Sequence, residues 1–254
     1  MQTPETVTAS LVIIGNEILS GRTQDKNLGW LAANLTEIGV QMWEAKVIPD
    51  IEEVIVSTLR DHSSRFDYVF TTGGIGPTHD DITARCVALA FERDLIRDPR
   101  AVALLENHYP TGELTEARLK MAEIPAGADL IDNPVSAAPG FIVGNVYVMA
   151  GVPRIMQAMF DGLKAGLRSG AKVHSVTVTA TIGESFMAKG LEAVQNAHPG
   201  LDIGSYPFYR SGQVGSSIVL RGIDQDELKV AAEKVRDVMR GLGVEPIEGE
   251  LPPA

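Results

Sequence analysis

The chain has 254 residues and a formal net charge of −11, with 44% hydrophobic and 22% charged residues, a globular composition far from the signatures of disorder, collagen or membrane spans. No run of Lys or Arg forms the basic stripe of a nucleic-acid binder, so nucleic acid is excluded as a partner and any phosphate must be held by local devices. The apolar run Leu11 to Ile14 is too short for a signal-peptide core, which points to the cytoplasm and away from a membrane, and the single cysteine, Cys86, excludes an intrachain disulfide and a multi-cysteine metal site.

"VTASLVII" reads as a strand that stops at Gly15, and "KNLGWLAANLTEIG" sets Leu28, Leu31, Leu35 and Ile38 on one helical face closed by Gly39. "VQMWEAKVI" predicts a second strand, "IEEVIVSTLRDH" a second helix through Ile51, Val54, Ile55 and Leu59, and "DYVFTT" a third strand. This alternation predicts βαβ units and a mostly parallel sheet covered on both faces. Further along, "DITARCVALAFE" reads as helix, Pro99 starts another, and "LTEARLKMAEIP" predicts a helix up to Pro125. A Pro-rich loop with a short strand follows. "FIVGNVYVMA" signals a hairpin about Gly144 and Asn145, and "GVPRIMQAMFDGLKAGL" a strand-loop-helix. After "RSGAK" the pattern changes, placing one domain over residues 1–168 and a smaller one over 173–254, whose β-α-β-β-α order, closed by a strand near Val244, predicts a ferredoxin-like α+β unit.

Three strand-to-helix loops share a glycine-containing grammar: Ile14 to Gly21, Thr72 to Asp81 and Ala150 to Pro153. In an open parallel sheet all three emerge at the carboxyl ends of strands, where ligands bind. In the middle loop Gly73, Gly74 and Gly76 allow positive φ and close backbone approach ahead of a helix N-terminus, an anion site by geometry. Asp80 fits a helix N-cap. Asp81 stands about 100° further round and would repel a phosphate unless a hard cation such as Mg²⁺ lay between, or else it is a solvated first-turn acid. In the first loop, Glu17 and Asp25 could share that metal, with Asp25 equally suited to capping the helix near Lys26, while Asn16, Ser20 and Asn27 lie just past the strand end. In "NPVSAAPG", Asn133 and Ser136 either line a purine or pterin or belong to a surface loop. Cys86 falls in a helical pattern and reads as a small buried residue.

"TTGGIGPTHDDIT", with "IGNEILSGRTQDKN", "MAEIPAGADLIDNPVSAAPGF" and "VMAGVPRIMQAMF", resembles the molybdopterin-binding domain of the molybdenum-cofactor biosynthesis superfamily, in its competence/damage-inducible group, over residues 7 to 165. "GSYPFY" and its surroundings are similar to the region after that domain in eukaryotic FAD synthases. The resemblance implies a three-layer α/β/α domain that binds molybdopterin or a related pterin or adenine nucleotide, with a Mg²⁺- or Co²⁺-dependent pyrophosphatase acting on ADP-ribose- or FAD-like dinucleotides as one activity, a non-catalytic binding module as the alternative, and an adenylyl transferase as the third. It implies that Gly73, Gly74, Gly76 and Thr78 hold phosphate, that Asp81 and Glu17 hold metal or act on the phosphoryl centre, and that Gly140, Gly151 and Pro153 belong to the ligand site. It also implies a homo-oligomer, dimer or trimer, and no pyridine-nucleotide deamidase activity. The chain departs from the family pattern at Asn16, where an acid is usual, and at Ile155, where a Glu often stands, which weakens the case for metal and hydrolysis.

Overall fold

A computed structural model describes residues 6–210 and 212–249, which divide into two compact units at Ala171/Lys172. The first unit is built on a six-stranded sheet. Its leading elements are β1 (Val7–Ile14), a single helical turn α1 (Asn16–Leu19), α2 (Asn27–Glu37), β2 (Val40–Ile48), α3 (Glu52–Arg65) and β3 (Tyr68–Thr72). Then come α4 (Thr83–Ala90), β4 (Leu95–Arg97), α5 (Pro99–His108), α6 (Glu116–Leu119), β5 (Glu123–Pro125), β6 (Asp129–Ile131), β7 (Gly140–Val143), β8 (Val146–Met149) and α7 (Pro153–Leu163).

The strand order is β2-β1-β3-β8-β7-β6, with β2, β1, β3 and β8 mutually parallel and β7 reversed between β8 and β6. All eight residues of β1 are buried, as expected for an inner parallel strand with helices on both faces. On one face Val12, Ile14, Ile55, Leu59, Cys86 and Phe141 form a core with α3 and α4; on the other Leu11, Leu31, Leu35, Phe70, Met156 and Phe160 form a second with α2 and α7. The layers are therefore α/β/α. The expected hairpin closes with Val143 opposite Val146, and Gly144 at φ 59° takes the positive angle that such a turn demands. Asn145 then donates to the Ser63 and Phe66 carbonyls and accepts from the Ser63 hydroxyl, tying the turn to the end of α3.

Two sequence expectations need correction. "LTEARLKMAEIP" is one turn of α-helix and one of 3₁₀-helix (Lys120–Ala122), after which Glu123–Pro125 turns extended to pair with β4. That pairing reaches back to Leu95–Arg97, a non-local partner that helical spacing cannot reveal. And part of the first loop, Asn16–Leu19, is helical.

The second unit contains β9 (His174–Ala180), α8 (Glu184–Ala197), β10 (Asp202–Arg210), β11 (Gln213–Gly222), α9 (Gln225–Gly241) and β12 (Ile247–Glu248). Its sheet is antiparallel in the order β10-β11-β9-β12, the ferredoxin-like arrangement. Val178, Ile218, Leu220, Leu228, Val235 and Met239 pack its core. No helix among the described residues is long and apolar enough to cross a membrane.

Candidate functional site

After β1 the chain crosses to one side to make β2, and β3 lies on the other side, so the topological switch point falls between the carboxyl ends of β1 and β3. Backbone from three loops meets there. A Cβ on Gly73 would stand 2.1 Å from the Ile14 carbonyl oxygen, and one on Gly151 would stand 3.2 Å from the Gly73 Cα. Asn27 fastens the third loop by donating its side-chain amide to the Gly151 carbonyl at 2.8 Å. Its Oδ1 is buried without a partner.

The β3–α4 connection is longer than a tight strand-to-helix turn. α4 begins at Thr83, whose amide donates to the Gly74 carbonyl and whose hydroxyl donates to the Gly73 carbonyl. These bonds pinch the base of a hoop running from Gly73 to Ile82. Gly73 at φ 103° and Gly74 at φ 67° make the entry to it, conformations that residues with a Cβ adopt only at a cost. Gly76 serves by its size instead: its φ lies outside the left-handed region, and a Cβ there would meet the Asp81 carboxylate at 2.7 Å.

The expected division of labour between the two acids is reversed. α4 has Ile82 as its N-cap, with no side-chain cap. Asp80 is therefore not the cap but lies on the exposed apex, its carboxyl held below the usual carboxylate range by hydrogen bonding to Thr78 and its own amide. Asp81 turns inward and accepts from the Thr78 amide at 2.8 Å and from the Thr78 hydroxyl. A carboxylate engaged by two donors in its own loop acts as a clasp, which periodicity could not distinguish from a free ligand.

The remaining candidates separate in the same way. Asp25 accepts from the amides of Asn27 and Leu28 and so caps α2. Glu17 folds its carboxylate over Gly15 at the end of β1, and the Asn16 amide is taken by Asp50 at 2.9 Å. Ser20 bonds to the Glu17 carbonyl. Asn133 is buried and occupied within its own loop: its amide nitrogen donates to Ser136 Oγ and the Ala138 carbonyl, and its oxygen accepts from the Val135 and Ser136 amides. Gly140 packs between the Val148 carbonyl and Met159, and Pro153 begins α7. Among the described residues no three His, Cys, Asp or Glu side chains stand where they could share a metal ion. Asp81, Glu17 and Asp25 are therefore not gathered into one three-acid site for Mg²⁺ or Co²⁺.

Beneath the hoop lies a cavity of about 250 Å³. Gly74, Gly76 and Asp81 reach it from the loop, Ala84 and Arg85 from the first turn of α4, and Lys120, Glu123 and Phe141 from outside. Arg85, Lys120, Glu123 and Phe141 were not found from the sequence. The last three reach the cavity only through the β4–β5 pairing and the β7 strand. Lys120 Nζ donates to the Thr78 carbonyl, so the hoop apex hangs between Asp81 on one side and Lys120 on the other. His79 sits at the mouth of the cavity with its side chain 98% exposed. Cys86, behind α4, is fully buried and its thiol is pushed up to about 12, chiefly by burial.

Residues 10–168 match the family described as "Probable molybdopterin binding domain", and residues 172–246 match "FAD synthase, middle domain". A protein of Archaeoglobus fulgidus is 33% identical over 229 residues, covering 90% of this chain and 96% of its own. A Clostridium beijerinckii protein bearing a competence-damage inducible name is 32% identical and spans 96% of this chain, which in turn covers 58% of that longer protein. The crystal structure of the CinA protein with unknown function from Thermoplasma acidophilum is 36% identical with a TM-score of 0.60, covering 63% of this chain and 98% of that one. With its first unit matched over nearly all its length and the convergent glycine loops in place, the chain belongs to the molybdopterin-binding domain family, in its CinA type, and carries behind that domain a unit similar to the middle domain of FAD synthase.

Proposed function

We infer that the first unit is a binding domain for a small phosphorylated ligand, a pterin of the molybdopterin class in the first place and an adenine nucleotide in the second, with its phosphate seated on the Gly73–Thr78 hoop. The observation that carries this is the pinched hoop with the cavity beneath it, where Ala84 and Arg85 in the first turn of α4 present amides that have no helical acceptor. Family membership supports the pterin. The protein's part is to bind and orient: the hoop backbone and the α4 terminus face the anion, and Ile75, Ile82 and Phe141 give the cavity an apolar wall for the ring.

The lack of a three-acid cluster among the described residues, with Asn16 at the first loop and Asp25 bonded to the start of α2, favours binding without cleavage. Calorimetric titration with molybdopterin, ADP-ribose and FAD, with and without Mg²⁺ or Co²⁺, followed by chromatography of the products, tests both points. Binding of at least one ligand without turnover is expected. If none of the three binds, the reading fails. Metal-dependent products that vanish in Asp81→Asn would replace it with a pyrophosphatase. The same reading expects a homo-oligomer of two or three copies, which sedimentation equilibrium measures.

A further inference from the structure

Five ionisable side chains line the cavity: His79, Asp81, Arg85, Lys120 and Glu123. Their partners set one of them apart. Asp81 is held by Thr78, Arg85 stands 2.5 Å from the Glu52 carboxylate, Glu123 stands 3.2 Å from Arg97, and His79 points into solvent beside Asp80. Lys120 has no ion pair among the described residues; its ammonium donates to a neutral acceptor, the Thr78 carbonyl. In a chain of net charge −11, an ammonium at the edge of an anion-shaped loop that acts on Asp80 only through space and bonds directly to a carbonyl keeps its charge available to an entering anion. A carbonyl is also the weaker partner, because hydrogen bonds with charge on both sides are roughly twice as strong as neutral ones.

We propose that Lys120 is the residue that reads the anionic group of the ligand: its ammonium holds the hoop with one N–H on the Thr78 carbonyl, and when a phosphomonoester or pyrophosphate enters, another of its three N–H donors goes to a phosphate oxygen. This rests on the phosphate-binding reading above and adds to it a second segment of the chain, the 3₁₀ turn Lys120–Ala122. The cavity then selects phosphorylated over unphosphorylated forms of the same ring.

Two probes separate the parts: inorganic pyrophosphate, which has the anion and no ring, and neopterin, which has a pterin ring and no phosphate. Each is titrated into wild type, Lys120→Met and Lys120→Arg, with thermal melts confirming that all three fold. Losing one charge-assisted bond predicts a roughly 10- to 100-fold weaker pyrophosphate affinity in Lys120→Met, recovery of a large part of it in Lys120→Arg, a shallower salt dependence in Lys120→Met, and neopterin binding no weaker than in wild type. Equal pyrophosphate affinity in wild type and Lys120→Met overturns the role of Lys120 while leaving the phosphate site standing. Parallel losses for pyrophosphate and neopterin, unrescued by arginine, reduce Lys120 to a loop support and overturn it too. Failure of the wild type itself to bind pyrophosphate removes the phosphate site and this inference together.

Discussion

Replacing Gly73 by alanine strikes the point where the hoop leaves the sheet. Gly73 holds φ at 103°, beyond the left-handed well that other residues visit, and a side chain there costs on the order of 1–3 kcal/mol. The new Cβ would also stand 2.1 Å from the Ile14 carbonyl oxygen. That oxygen is backbone of the fully buried β1, so relief requires shifting a strand rather than turning a side-chain tip. Strain and contact together come to about 3–5 kcal/mol, in the range of severe single substitutions. Trp30 and Trp43, the only tryptophans, both lie in the first unit, so their fluorescence follows the unfolding of that unit alone. For a unit of this size each kcal/mol moves the midpoint by about 2–4 °C, and the expected drop is roughly 6–20 °C. A drop below about 2 °C in Gly73→Ala would show that the loop base yields freely and would refute the packing argument.

Other consequences are open to simpler tests. Cys86, buried and with its thiol pushed up to about 12, should resist alkylation by iodoacetamide at pH 8 in the folded protein and react once denatured; stoichiometric labelling within minutes under native conditions would contradict its placement. His62 is buried against Ser10 and Glu44, and desolvation holds its imidazole below the ordinary histidine value. The unfolded chain therefore takes up the proton first, so the stability it contributes is full above about pH 6.5 and is lost as pH falls from there toward its folded-state value. Tryptophan-monitored melts should show a downward slope below about pH 6.5 that flattens in His62→Gln, and an unchanged slope in that variant would assign it elsewhere. Asn145→Ala removes three hydrogen bonds to Ser63 and Phe66 and should lower stability by about 2–3 kcal/mol, counting roughly 1 kcal/mol for each. A change below about 0.5 kcal/mol in urea unfolding would mean the turn is held by its backbone alone.

What the sequence disclosed follows from how local each signal was. β1, α2, β2, α3 and β3 were legible because their apolar residues repeat within a few positions, and the glycine loop was legible because glycine adopts positive φ at positions 73 and 74 without the cost a Cβ brings. The roles of Asp80 and Asp81 were not. Either can cap a helix on paper, and the choice is made by the Thr78 amide, which offers itself to Asp81 only after the hoop has folded. Asn133 looked like a polar group facing a ligand because the neighbours that satisfy it, Ser136 and Ala138, are brought round by its own turn. Lys120 carried no signal at all. It is one lysine in a segment that read as helix, and its place at the cavity depends on Glu123–Pro125 pairing with Leu95–Arg97.

The central claim is that phosphate sits on the Gly73–Thr78 hoop, and amide chemical shifts of a ¹⁵N-labelled chain titrated with inorganic pyrophosphate report on it directly. The account predicts saturable shifts concentrated at Gly74, Gly76, Thr78 and Lys120, sharing one dissociation constant. Shifts confined to residues 172–249, or none between residues 73 and 85, would contradict it.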